Sequence, residues 1–148
     1  MSFIETIKER AKKDIKTIVL PESMDSRVME AASKILEEGI ANVIIIGTDE
    51  EINESAKGLD ISKATIINPY TSELTEDLIL KLVELRKSKG LTYEEAKKLL
   101  LEDYMYYACM LVHKGLADGI VSGACHSTAN TMRPALQIIK TAPDAKLV

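Results

Sequence analysis

The residues best equipped for chemistry fall between 121 and 136, VSGACHSTANTMRPAL. A short apolar run ends at Ser122-Gly123; His126, Ser127, Thr128, Asn130 and Thr131 then crowd together, and Arg133 follows beside Pro134. Hydroxyl and amide side chains after a glycine turn can cap a helix and donate to an anion, while an arginine one turn further on adds a fixed charge and a fork of donors. Capping needs one such residue. The surplus of polar side chains, together with Arg133, points to an anion site. His126 reads either as a general base or as a structural hydrogen-bonding residue, since no carboxylate stands beside it in sequence. His113 reads as an ordinary residue near a helix C-terminus. Pro134 suits a first helical turn and equally a kink in a helix begun earlier.

The elements that must position these side chains alternate along the chain. Phe3, Ile4, Ile7 and Ala11 fit one face of a helix, and TIVLPE gives a short strand closed by Pro21. Val28, Ala31, Ala32, Ile35 and Leu36 recur at helical spacing, with Asp25 placed to cap and Gly39 to end the helix. NVIIIG is the second strand. Thr48 and Glu51 have capping-box spacing, and ATIINP is a third strand stopped by Asn68-Pro69. Leu74, Leu78, Ile79, Leu82 and Leu85 form a stripe broken by Gly90, and Thr92 with Glu95 opens another helix through Ala96, Leu99 and Leu100. A further helix carries Tyr104, Tyr107, Ala108 and Leu111 up to Gly115, its tyrosines reading as packing residues. ADGIVSG is a fourth strand, and AKLV at the chain end opens a fifth. Apolar strands separated by amphipathic helices imply an α/β fold, a parallel sheet with helices on both faces. Ligands of such sheets sit beyond the carboxyl ends of the strands, where the 121–136 stretch falls.

Composition narrows the classes. The chain has 148 residues, 46% hydrophobic and 28% charged, with no Trp and one Phe, so one core built from aliphatic residues and Met is expected. A net charge of -4 argues against a nucleic-acid partner held by overall positive potential. No apolar run approaches the ~20 residues a membrane helix needs, and the N-terminus reads as an amphipathic helix, so the expected location is cytoplasmic. Cys109 and Cys125 form no CxxC pair and have no histidine at ligand spacing, which supports neither a disulfide framework nor a metal site. Cys109 reads as a buried helix residue.

ADGIVSGACHSTANTMRPALQIIKT, with TIVLPES, RVMEAA and LRKSKGLTYEEAKKLL, resembles the phosphate acetyltransferase family over the whole chain in order. Three positions depart from its pattern: Leu116 and Ser23 stand where the family has Ala and Gly, and Asn130 where it often has Asp. Ser23 bears on the tightness of a strand-to-helix turn; Asn130 removes a negative charge beside the anion site. The resemblance implies an enzyme interconverting acetyl-CoA and phosphate with acetyl phosphate and CoA. It also implies an isocitrate/isopropylmalate dehydrogenase-like architecture with the active site between two domains, a homodimer, and CoA as substrate with no separate cofactor. Residues 1–148 would be its first, incomplete domain. Ser127, Thr128, Thr131 and Arg133 would hold phosphate or the acyl end of CoA, and Arg86 would meet CoA unless it is simply a solvated residue near a helix end. The family's catalytic Ser-Arg pair and Asp lie further along, so no catalytic residue is expected here. A phosphate butyryltransferase and a non-catalytic anion- or CoA-binding module are the alternatives.

Overall fold

A computed structural model describes residues 1–146. Its sheet has four parallel strands, β1 (Thr17–Leu20), β2 (Asn42–Ile46), β3 (Thr65–Ile67) and β4 (Gly119–Ile120), in the order β3-β2-β1-β4. Val19 lies opposite both Ile44 and Ile120, and Ile45 opposite Ile66, so β1 and β2 form the middle of the sheet. The fourth strand is shorter than its sequence suggests: Gly119 and Ile120 lie in register with β1, the N–H of Val121 still donates to the Val19 carbonyl at 3.1 Å, and Ser122-Gly123 then turns the backbone away. The expected fifth strand at AKLV falls partly outside the described residues, and Ala145 and Lys146 are not in a strand.

Alternation along the strands sends neighbouring residues to opposite faces. Val19, Ile44, Ile46 and Ile67 pack against α4 (Leu74–Leu85), α5 (Tyr93–Glu102), α6 (Tyr104–His113) and α7 (Thr128–Ile138). Leu20, Val43 and Ile45 pack on the other face with α2 (Ser26–Glu38) and α3 (Asp49–Ser55). Both faces are covered, as the apolar strands require. The α6 helix is the centre of the larger layer, with every residue from Tyr104 to Leu111 buried. Tyr107 is fully buried and its hydroxyl pairs with Thr75 Oγ1 at 2.9 Å, so these tyrosines are core. Cys109 is likewise fully buried, and burial pushes its thiol up to about 12.

Local chemistry sets the helix ends. Asp25 Oδ1 accepts from Arg27 N, and Gly39 closes α2 at φ 64, a left-handed conformation that favours glycine. Thr48 and Glu51 form a reciprocal capping box, as do Thr92 and Glu95. The first helix, α1 (Phe3–Lys13), has no buried residue and touches the body through a Lys8–Glu38 ion pair at 2.6 Å. Beside β4 the α2 layer stops short, leaving an apolar groove of about 400 Å³ between Leu20, Val28, Ile35 and Val121. Among the described residues no helix is long and apolar enough to cross a membrane.

Candidate functional site

Parallel strands bring four turns to one edge, and the turns after β1 and β4 lock together there. Glu22, two residues past β1, is 1% exposed. Its Oε1 accepts from the backbone N–H groups of Gly123 at 2.7 Å and Ala124 at 3.0 Å; its Oε2 accepts from those of Cys125 at 2.6 Å and His126 at 3.0 Å. His126 Nδ1 lies 2.9 Å from the same Oε2. Consecutive N–H groups converge this way only if the backbone turns back on itself, and Gly123 does so at φ 121. Burial alone would raise the Glu22 pKa. The hydrogen bonds from Cys125, His126 and Ala124 outweigh it and hold the carboxyl well below the usual carboxylate range.

This arrangement corrects one expectation. The turn after β4, where an anion site was expected, is an anion nest, but its backbone donors from Gly123 to His126 are taken by the protein's own carboxylate. The carboxylate missing beside His126 in sequence is present in space, supplied from 104 residues away. Only the presence of Glu22 in a strand-ending turn hinted at this, and nothing local marks a glutamate as buried. Arg27 braces the turn from outside, holding Asp25 through Nε and Nη2 and donating through Nη2 to the Ala124 carbonyl at 3.0 Å.

The helix that follows carries the other polar residues of this stretch. Ser127 is its N-cap: the backbone N–H of Asn130 donates to Ser127 Oγ at 3.1 Å and that of Thr131 to the Ser127 carbonyl at 3.0 Å. The N–H groups of Thr128 and Ala129 meet no acceptor among the described residues, and both residues are exposed. Thr131 turns inward, its Oγ1 buried without a hydrogen-bond partner. Arg133 lies exposed one turn in. Pro134 sits buried in the middle of α7, so the helix does begin earlier than the proline. His113 is exposed at the end of α6, as an ordinary helix residue should be.

Arg86 is the C-cap of α4 and lines a cavity of about 340 Å³ with Leu82, Gly90, Glu95, Tyr106 and Gln137. Burial and Asp103 push the Tyr106 phenol up, while the guanidinium groups of Arg133 and Arg86 both oppose that shift. Arg86 and Tyr106 line this cavity together, and Arg133 is not among its lining residues. A second cavity, of about 440 Å³, lies at the carboxyl edge of the sheet between Met24, Glu51, Tyr70, Asp103, His126 and Asn130. Its walls come from the turns after β1 and β3, from α3 and from the start of α7, where the α/β rule places a ligand. Glu51 there accepts from Thr48 N at 2.9 Å and from the Tyr104 hydroxyl at 2.8 Å, and burial followed by that bond raises the Tyr104 phenol.

Glu22, Cys125 and His126 place one ligand-type atom each within 4.8 Å of one another. They do not suit a metal ion. Both carboxylate oxygens are already taken by backbone donors, and burial, then Glu22, raises the Cys125 thiol to about 11, which disfavours the thiolate a metal needs. Ser23 is fully buried with an unpartnered hydroxyl against Gly47, where a Cβ would collide with Ser23 Oγ. The glycine freedom lost at residue 23 is thus met by a glycine on the neighbouring turn.

The family model described as "Phosphate acetyl/butaryl transferase" matches residues 2–148. The chain belongs to that family. It is 55% identical over 148 residues to a phosphate acetyltransferase of Acetivibrio thermocellus, covering 100% of this chain and 44% of the relative. It is 51% identical over 148 residues to that of Thermoanaerobacterium thermosaccharolyticum, covering 100% and 45%. The EutD phosphotransacetylase from Staphylococcus aureus superposes with a TM-score of 0.87 at 42% identity, over 97% of this chain and 44% of that one. A phosphotransacetylase from Streptococcus pyogenes gives 0.87 at 43%, over 97% and 44%. The chain thus spans a little under half the length of these relatives.

Proposed function

We propose that the protein is an acyltransferase that interconverts acetyl-CoA and phosphate with acetyl phosphate and CoA. The observation that carries this reading is the 55% identity, over all 148 residues, to a protein named phosphate acetyltransferase. In this reading residues 1–148 form the first domain of a two-domain, isocitrate dehydrogenase-like enzyme that works as a homodimer in the cytoplasm, with CoA as substrate rather than cofactor. Phosphate is met at the first turn of α7 by the exposed N–H groups of Thr128 and Ala129, the Ser127 and Thr128 hydroxyls and Arg133, and the inward Thr131 hydroxyl joins them once the ligand is seated. Arg86 meets CoA. The thiolate of CoA attacks the acetyl carbonyl and phosphate leaves. Holding the two reactants together contributes on the order of 7–11 kcal/mol of barrier reduction when geometry is right. Donors already pointing at the leaving phosphate stabilise the charge that gathers there.

The test is acyl transfer by the full-length protein to CoA from acetyl phosphate and, in parallel, from butyryl phosphate. Acetyl transfer is expected at a kcat/KM about tenfold or more above butyryl, the discrimination that extra methylenes support. A preference for butyryl would move the protein to the other activity in the family's description. Transfer of neither would remove the proposal.

A further inference from the structure

The contact between Glu22 and His126 does more than hold a turn. The Glu22 carboxylate only accepts, so the nitrogen facing it, Nδ1, carries the proton, and in the neutral ring Nε2 is left with its lone pair. Nε2 has no partner among the described residues, and His126 lines the 440 Å³ cavity one residue before the cap of α7. A buried carboxylate, an imidazole fixed in one tautomer and a free second nitrogen beside a proposed anion site form an orienter-and-proton-carrier pair. Four of the five contacts to this carboxylate fix the turn, and the fifth, to Nδ1, fixes the ring.

We propose that His126 exchanges a proton with the phosphate oxygen that bonds to, or departs from, the acetyl carbon, and that Glu22 is its positioning residue. This rests on the acyl-transfer reading above. In the direction of acetyl-CoA formation the thiolate sulfur bonds the acetyl carbon and the C–O bond to phosphate breaks. The electron pair stays on the phosphate oxygen, which takes the proton from Nε2, and hydrogen phosphate leaves with the imidazole neutral. The proton shed by the CoA thiol returns to the imidazole through solvent, so the cycle balances without another reactant. In reverse, neutral Nε2 removes the proton of hydrogen phosphate as its oxygen attacks the thioester. The other titratable groups around the ring are Cys125, next in sequence, and Glu51, Tyr70, Glu102, Asp103 and Tyr104 along the cavity. Those carboxylates keep a dianion out of the cavity's depth, so phosphate is met at its rim, at the first turn of α7.

Two measurements test this. In the wild-type chain, ¹⁵N shifts of the neutral His126 ring should report a protonated Nδ1 and a bare Nε2; the opposite tautomer overturns the proposal with no variant involved. In the full-length protein, His126→Gln should lower kcat about a hundredfold while the KM for acetyl phosphate stays within about threefold, because the lost group acts on the transferring proton. Added imidazole should restore part of the kcat of His126→Gly, a rescue that a purely structural histidine would not show. Glu22→Gln should lower kcat by about tenfold. A His126→Gln enzyme within threefold of an active wild type overturns the proton step alone; a wild type without acyl transfer overturns the functional reading and this step with it.

Discussion

Glu22 does the work of a bound anion: its buried carboxylate accepts from four backbone N–H groups of a turn whose residues Gly123 to Cys125 are themselves exposed. Glu22→Leu should therefore cost about 1–3 kcal/mol in denaturant unfolding, the worth of a charge-assisted acceptor whose freed donors water can partly reach. Its depressed pKa also gives stability a pH dependence of definite sign. The stabilisation is fully present above the ordinary value of 4.5 and is lost as pH falls below that toward the lower folded-state value. Melting curves between pH 7 and pH 3 should steepen below 4.5 for the wild type and flatten in Glu22→Gln; equal slopes would show that the carboxylate is not held as described. Arg133→Ala in the full-length protein should lower kcat/KM for acetyl phosphate by roughly 10- to 100-fold, the size of a charge-assisted hydrogen bond, and Arg133→Lys should not restore it because the fork is lost. Near-wild-type kinetics in the alanine variant would remove Arg133 from the site.

At the level of elements, α7 carries two roles that substitution can separate. Ser127→Ala removes a cap and should cost about 1 kcal/mol. Thr131→Val removes a buried hydroxyl without a partner while keeping the shape of the side chain, so the chain should become more stable by about 1 kcal/mol. If the same variant weakens phosphate binding, the orphaned hydroxyl is kept for a ligand; unchanged affinity would make it a packing residue only. The elements themselves were legible because their signals are local: the capping boxes at Thr48 and Thr92, the stop at Gly39 and the helical stripes of α2 and α4 all lie where their spacing puts them. The Glu22–His126 pair was not legible, because it joins turns 104 residues apart and depends on sheet order, which periodicity does not encode. The end of β4 was misread for a related reason. Val121 is apolar enough for a strand, but it is 63% exposed and the turn toward the nest takes over.

For the whole molecule, sheet order decides which groups can meet. The order β3-β2-β1-β4 puts the turns after β1 and β4 side by side, so Glu22 reaches the nest, while α4, α6 and α7 share one face and place Arg86 beside Tyr106. The other face keeps the open apolar groove by Val121, and Phe3 and Ile4 of α1 stand 80% and 64% exposed. Such surfaces invite association, so light scattering of the 148-residue chain should show a mean mass that rises with concentration; a constant monomer mass would mean that these surfaces are inert. The same chain should form no acetyl-CoA from acetyl phosphate and CoA if the reacting cleft needs a second domain, and turnover by it would relocate the whole site to these residues. Phosphate held by the first turn of α7, and not by the nest that Glu22 already fills, would leave a distinct trace in the backbone amides. Backbone amide shifts of the ¹⁵N-labelled chain during a phosphate titration test that placement most directly. Saturable shifts at Thr128, Ala129, Thr131 and Arg133, with the amides of Gly123 to His126 unmoved, are what this account predicts; shifts centred on Gly123 to His126, or none at α7 up to tens of millimolar phosphate, would contradict it.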